Sequence, residues 1–221
     1  DLARQFPQFP GGLTRTGRSN AWIRYNSMQV NYNLRWRGGL SVVANYTLSK
    51  QMEASNIVDN YADTLQQGLY LLDRPHVLKG TVIWELPFGE GKPLATTGLA
   101  KLLFGGWQLN GIFSRYSGTP FTVTASGTSL NAVANLQTAD QVKDRVEILG
   151  GTGPGQSYFD PLAFQSVTDV RYGNSGLNTL RGPGVVNLDL GLFREFRVRD
   201  VQIQFRAEAF NATNTPHFNN P

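Results

Sequence analysis

The stretch Ser27-Met-Gln-Val-Asn-Tyr-Asn-Leu-Arg-Trp36 alternates at every position: Met28, Val30, Tyr32, Leu34 and Trp36 against Ser27, Gln29, Asn31, Asn33 and Arg35. Side chains of an extended chain point to opposite faces with a period of two, so this is a strand with one apolar and one polar face. Arg37-Gly38-Gly39 then interrupts it. From Leu40 to Lys50 the alternation resumes, with Leu40, Val42, Ala44, Tyr46 and Leu48 opposite Ser41, Asn45, Thr47 and Ser49. Two alternating runs around a short glycine turn predict an antiparallel hairpin.

The same pattern recurs along the chain. Leu78, Gly80, Val82, Trp84 and Leu86 alternate with Lys79, Thr81 and Glu85. Trp107, Leu109, Gly111 and Phe113 alternate with Gln108, Asn110 and Ser114, although Ile112 breaks the rule. Val186 to Leu192 carries Asn187 and Asp189 on its polar side. After the turn Val198-Arg199-Asp200, Val201, Ile203, Phe205, Ala207 and Ala209 alternate with Gln202, Gln204, Arg206 and Glu208. Strands are therefore expected at about 26–36, 40–50, 76–87, 106–116, 185–196 and 200–211, within one domain spanning 1–221. Short turns join the first and last pairs, and Phe88–Gly106, with a turn of helix at Leu99–Phe104, joins the middle pair. Long connections are expected at about 51–74 and 117–184.

Alternating short and long connections suit a transmembrane barrel, whose turns are short on one side of the membrane and long on the other. The long connections are expected outside the cell. The polar face is mostly Asn, Gln, Ser and Thr with a few charges, as suits a wet lumen, whereas a soluble sandwich covers that face with Lys and Glu. Trp36, Trp84, Trp107 and Phe196 all fall near the short-turn ends, where an interfacial aromatic girdle belongs. The expectation is an all-β fold: an antiparallel transmembrane β-barrel wall built as a meander of hairpins. A sandwich core with ordinary Trp placement is the alternative.

Composition agrees and excludes several chemistries. The 221 residues hold 24 Gly, no Cys and only 16% charged residues. The absence of Cys removes disulfides, thiolate metal sites and Cys nucleophiles. Net charge is +4, with pI near 9.5. The Lys and Arg are scattered, often beside turns, and not clustered as in a nucleic-acid face, so no nucleic-acid partner is expected. No charged and apolar leader is legible in Asp1–Pro7. No apolar run reaches the ~18–20 residues of a membrane helix, and a mean hydropathy of −0.27 is compatible with strands that are only half apolar.

Motif by motif, catalysis finds little support. Gly150–Ser157 is glycine-rich, but no Gly-Lys-Ser/Thr follows it. The two histidines, His76 and His217, are far apart, and no Gly-x-Ser-x-Gly elbow occurs. The chain is not expected to be an enzyme or to carry a cofactor or a metal. Lys79, Glu85, Asp189, Arg206 and Glu208 are candidates for lumen-facing or structural roles, with Arg206 and Glu208 as neighbours of opposite charge on one face. Asp73-Arg74-Pro75-His76 stands where a long connection meets a strand. Asp73, Arg74 and His76 are expected to lock that junction, with Asp73 and Arg74 pairing locally and Pro75 fixing the backbone.

Several stretches, in this order, resemble the carboxy-terminal barrel of Oar-like TonB-dependent receptors. They are Asn26–Val30 with Tyr46–Lys50, Asp73–His76 running into Trp84–Lys92, Gly106–Gly111 with Ser117–Val123, Leu180–Gly184, and Gln204–Asn211 leading to Pro216–Pro221. The resemblance implies an outer-membrane localisation in a bacterial envelope. It also implies transport of a bulky solute, energised by an inner-membrane TonB complex. Such receptors have about 22 strands and a plugged lumen, so the chain is expected to be a fragment of such a barrel, with its plug domain absent from these residues. Its expected partners are membrane lipid, the rest of the barrel and plug, and TonB. The alternative is a β-rich, self-assembling surface protein made of the same hairpins.

Overall fold

The computed structural model describes residues 19–59, 64–130 and 137–221. The Asp1–Pro7 stretch lies outside them, as do 60–63 and 131–136 of the long connections. The main sheet contains β1 (Trp22–Trp36), β2 (Leu40–Asp59), β3 (Thr64–Leu69), β4 (His76–Glu85), β5 (Trp107–Tyr116), β6 (Val185–Val198) and β7 (Val201–Ala209). All pairings are antiparallel, in the order β1-β2-β4-β5-β6-β7, with β3 beside the distal part of β2. It is a meander, and among the described residues it does not close on itself: β1 and β7 are its two edges.

Register is what makes this sheet two-faced. Trp36, Leu40, Trp84, Leu109, Leu192 and Ala207 share one row across six strands, and Leu34, Val42, Val82, Gly111, Leu190 and Ala209 share the next. A slip of one residue at any of the five ladders joining these six strands would turn a whole strand over; none of the five has one. Between β1 and β2 the register is kept by Arg37-Gly38-Gly39. Gly39 takes φ +84°, and a Cβ there would stand 2.8 Å from Glu85 Cβ, so only glycine fits the corner.

The connection expected at 51–74 is only partly a loop. β2 continues to Asp59 and pairs with β3, so β3 and β4 lie end to end along one edge of β2. The alternation fades there because the ladder is irregular between Ala54 and Asn56 and again between Ile57 and Asp59. A bulge consumes one extra residue and breaks the period of two. β1 likewise begins at Trp22, earlier than the expected 26.

The connection 117–184 folds into a small unit of its own. Pro120–Phe121 pairs with Leu180–Arg181, closing its base, and Asp140–Gln141 pairs with Phe164–Gln165. At the base a Cβ on Gly118 would lie 1.8 Å from the Gly182 carbonyl oxygen, so two glycine-containing turns meet backbone to backbone. Its interior is polar as much as apolar: Gln137, Thr138, Asp140 and Ser175 are buried with Ala139, Ala163, Val167 and Leu177. Phe159 stacks edge-on against Phe164 (5.6 Å) and lies 5.9 Å from Phe121, giving the unit its aromatic cluster. The expected helical turn is α1 (Gly98–Phe104), between β4 and β5.

Candidate functional site

Charge divides between the two faces of the sheet. On the face that carries Met28, Val30, Val42, Val82, Leu109 and Phe205, the charged strand residues are Arg24, Lys50, Arg115 and Arg194, with His76 beside them. No Asp or Glu of the regular ladders lies on it. The opposite face holds Arg35, Lys79 and Arg206 as well as Glu53, Glu85, Asp189, Glu195 and Glu208. All four tryptophans, Trp22, Trp36, Trp84 and Trp107, are on the apolar face.

Lys79, Glu85, Asp189, Arg206 and Glu208 therefore share the polar face. Lys79 lies over the Tyr116 ring at 5.7 Å, and Glu85 pairs with Lys92 at 2.8 Å. Asp189 accepts from Asn187 Nδ2 (2.9 Å) and from the backbone N–H of Asn211 (2.8 Å), so it holds the chain just past β7. Arg206 donates to Gln204 (2.8 Å) and sits 5.2 Å over Phe193; among the described residues no ion pair joins it to Glu208. Ile112, the exception in the alternation, belongs to this face too, next to Thr81, with Val43 across Thr81 and Ile83 close by.

Trp36, Trp84, Trp107 and Phe196, expected to form a girdle, collect at the short-turn end of the apolar face. Trp36 is 67% exposed and Trp84 37%, large values for the largest apolar side chain. Trp107 donates its indole N–H to the Leu103 carbonyl of α1 (3.0 Å) and meets Phe205 edge-on at 5.8 Å. Arg194 donates to the carbonyls of Leu102 and Leu103, and its guanidinium lies 4.5 Å over Phe196 and 5.3 Å over Trp107. Aromatic bodies with polar tips, beside a short helix exposing Leu99, Leu102, Leu103 and Phe104, form an amphipathic rim. Behind it, a cavity of about 700 Å³ is lined by Glu85, Phe88, Lys92, Lys101, Trp107 and Arg194, among others.

At the other end, Asp73, Arg74 and His76 hold the start of β4, but not by pairing with one another. The Asp73 carboxylate, 1% exposed, accepts from the Gln51 backbone N–H and from the guanidinium of Arg181. Arg74 donates instead to the Ser117 carbonyl (3.3 Å) and lies 5.4 Å over Tyr116. Ser49 donates its hydroxyl to the Arg74 carbonyl (3.0 Å). The His76 backbone N–H donates to Ser117 Oγ (3.2 Å), and His76 Nδ1 hydrogen-bonds the Tyr46 hydroxyl (2.8 Å) on the apolar face. A cavity of about 320 Å³ is lined by Asp73 and Arg74 together with Tyr25, Gln29, Thr47 and Gln51, which places the junction on the polar face.

Arg181 is the residue that sequence reading missed. It lies in the Leu180–Gly184 stretch noted above, but nothing local to it announces a carboxylate partner. Within the folded connection a second pair does similar work. Asp140, buried, receives both terminal nitrogens of Arg171 (2.8 and 2.6 Å) and the Asn174 N–H (3.1 Å). The Arg171 guanidinium holds that carboxyl below the usual aspartate range, against the opposing effect of desolvation. Lys143, at 2.6 Å, lowers Asp160 in the same way.

Among the described residues no group of three or more His, Asp and Glu could hold a metal ion, and no helix is long and apolar enough to cross a membrane. No curated protein and no solved structure matched the chain. A two-faced antiparallel meander with an aromatic rim at its short-turn end is the form of a barrel wall. The family model described as an outer membrane beta barrel domain matches residues 1–221, and the chain belongs to that family.

Proposed function

We propose that this chain is a wall segment of a TonB-dependent outer-membrane receptor, taking part in the energised passage of a bulky solute. In this reading the apolar face meets lipid, the polar face lines the lumen, and the folded connection 117–184 stands on the extracellular rim. The observation that carries the facing is the segregation of charge: every Asp and Glu of the regular ladders is on the polar face. In hydrocarbon an uncompensated carboxylate is costly, whereas a wet lumen accepts it. The ordered stretches from Asn26–Val30 to Pro216–Pro221 support the TonB-dependent reading by their resemblance to Oar-like receptors. Among the described residues the edges β1 and β7 have no partner strand on their outer sides, and N–H and C=O groups there need neighbouring strands within lipid.

The test uses the intact polypeptide that contains this chain, isolated from outer membranes. Its mass is measured, and it is passed over the immobilised periplasmic domain of TonB. Retention by TonB and a mass well above the 24.4 kDa of these residues are expected. A mass near 24.4 kDa with no retention would overturn the reading in favour of a short, self-assembling surface protein.

A further inference from the structure

The basic side chains on the apolar face are not scattered. Arg24 on β1 stands opposite Met52, one two-residue rung beyond Lys50 on β2. Lys50 is one rung beyond Leu48, which stands opposite His76 on β4. His76 is one rung beyond Leu78, opposite Arg115 on β5. The row Arg24, Lys50, His76, Arg115 thus steps by one rung at each successive strand, always toward the short-turn end. The aromatic row at that end is level from Trp36 to Trp84 and from there slopes the same way: Trp107 one rung further, then Phe196 one rung beyond Arg194, which faces Trp107. A step of two residues (~6.8 Å) per strand spacing (~4.8 Å) is a slope of about 55°, so in a wall whose strands tilt by about 35–45° the row drifts by only several ångströms in height across four strands. The two rows are therefore belts at the two membrane surfaces. Counting both ends, His76–Trp84 and Trp107–Arg115 each span nine residues, close to the ~9–11 of a tilted transmembrane strand.

The belts differ in what satisfies their charge. Arg194, in the aromatic belt, has its guanidinium engaged by the Leu102 and Leu103 carbonyls and by two rings. Lys50 and Arg115 are exposed and have no ion-pair partner among the described residues, and Arg24 has only the Trp22 ring, at 4.7 Å. Tyr46 and His76, joined through their polar tips, fill the level between them. A run of open cations at the edge of an apolar face whose regular ladders carry no carboxylate is complementary to an anionic headgroup whose acyl chains lie along that face.

We infer that Arg24, Lys50 and Arg115, with the Tyr46–His76 pair, form a binding belt for phosphate-bearing lipid headgroups in the leaflet at the long-connection end of the wall. The inference rests on the apolar face meeting lipid and is independent of energised transport. Cations near an anionic membrane surface gain about fivefold in affinity each. Neutralising the three should therefore weaken phospholipid-type binding about a hundredfold.

The experiment uses the full polypeptide in non-ionic detergent, with bis-phosphorylated lipid A as the probe and its dephosphorylated form and inorganic phosphate as comparisons. R24Q/K50Q/R115Q is expected to lose about a hundredfold in affinity for the phosphorylated lipid, K50Q/R115Q about twenty-five-fold, and the charge-keeping K50R/R115K nothing. R35Q/K79Q/R206Q, with the same charge loss on the polar face, should bind as the parent does. If the triple variant fails to assemble, the double variant and its charge-keeping counterpart decide. Unchanged affinity in the neutral variants, equal losses from both faces, or equal binding of dephosphorylated lipid would overturn the inference. Competition by inorganic phosphate would also overturn it, in favour of a small-anion site. Quenching of tryptophan by brominated acyl chains reports lipid contact independently: quenching without any phosphate dependence defeats the belt and leaves the facing intact.

Discussion

Asp73 and Arg181, 108 positions apart in the chain, meet in an ion pair that ties the base of the folded connection to the start of β4. The same guanidinium donates to the carbonyls of Asp73 (3.0 Å) and Gly118 (3.3 Å), so one side chain holds three pieces of backbone together. The Asp73 carboxylate is almost wholly shielded, and removing its partner would leave a buried charge.

Arg181→Leu should therefore cost about 3 kcal/mol of local stability. The Asp73→Leu/Arg181→Leu double variant should recover part of that loss, because neither charge is then stranded. Hydrogen exchange at the Pro120–Phe121/Leu180–Arg181 ladder reads both. Strictly additive losses would show that the two side chains do not act as a pair.

Val42 shares a row with Leu34 and Val82, and Val43 with Asn33 and Thr81. If the apolar face meets lipid, Val42→Arg should cost about 2–4 kcal/mol near the bilayer centre, and Val43→Arg far less. The yield of heat-modifiable, assembled barrel in the membrane fraction ranks the two. The reverse ranking would turn the wall inside out.

Arg145 is exposed in the folded connection, whereas Arg37 and Arg199 are exposed in the short turns at the opposite end of the wall. Trypsin added to intact cells should cut after Arg145 and spare the other two; opening the outer membrane should expose all three. Cleavage at Arg37 or Arg199 in intact cells reverses the sidedness.

Asp140 and Asp160 have carboxyl groups held below their usual range by Arg171 and Lys143 respectively. A depressed folded-state value contributes stability above the unfolded value, about 3.9, and loses it as pH falls through the folded one. Exchange protection in 137–184 should thus stay level from about pH 8 to 5 and drop below about pH 4. Arg171→Gln should remove much of that acid sensitivity, while the β1–β2 ladder stays unaffected. Equal sensitivity in both regions would mean that the wall, not these pairs, responds to acid.

What the sequence determined by itself is the wall. Alternation over Ser27–Trp36, Leu40–Lys50 and Val201–Ala209 assigns each side chain to a face, because a strand has no freedom in its period. Gly38-Gly39 and Arg199-Asp200 mark the corners, and register follows once one face must be apolar. Alternation and turn positions also place Trp36, Trp84 and Trp107 near one end. The tertiary structure decided the rest. β2 runs past Lys50 through irregular pairing that erases the period, and β3, Thr-Leu-Gln-Gln-Gly-Leu, has no alternation to announce it: only the ladder to β2 makes it a strand. Asp73 takes Arg181 and not Arg74, since proximity along the chain says little once a connection folds back over so many residues. The stepped row from Arg24 to Arg115 is invisible in sequence for the same reason: each strand contributes one basic side chain, and only the ladders bring the four strands into register.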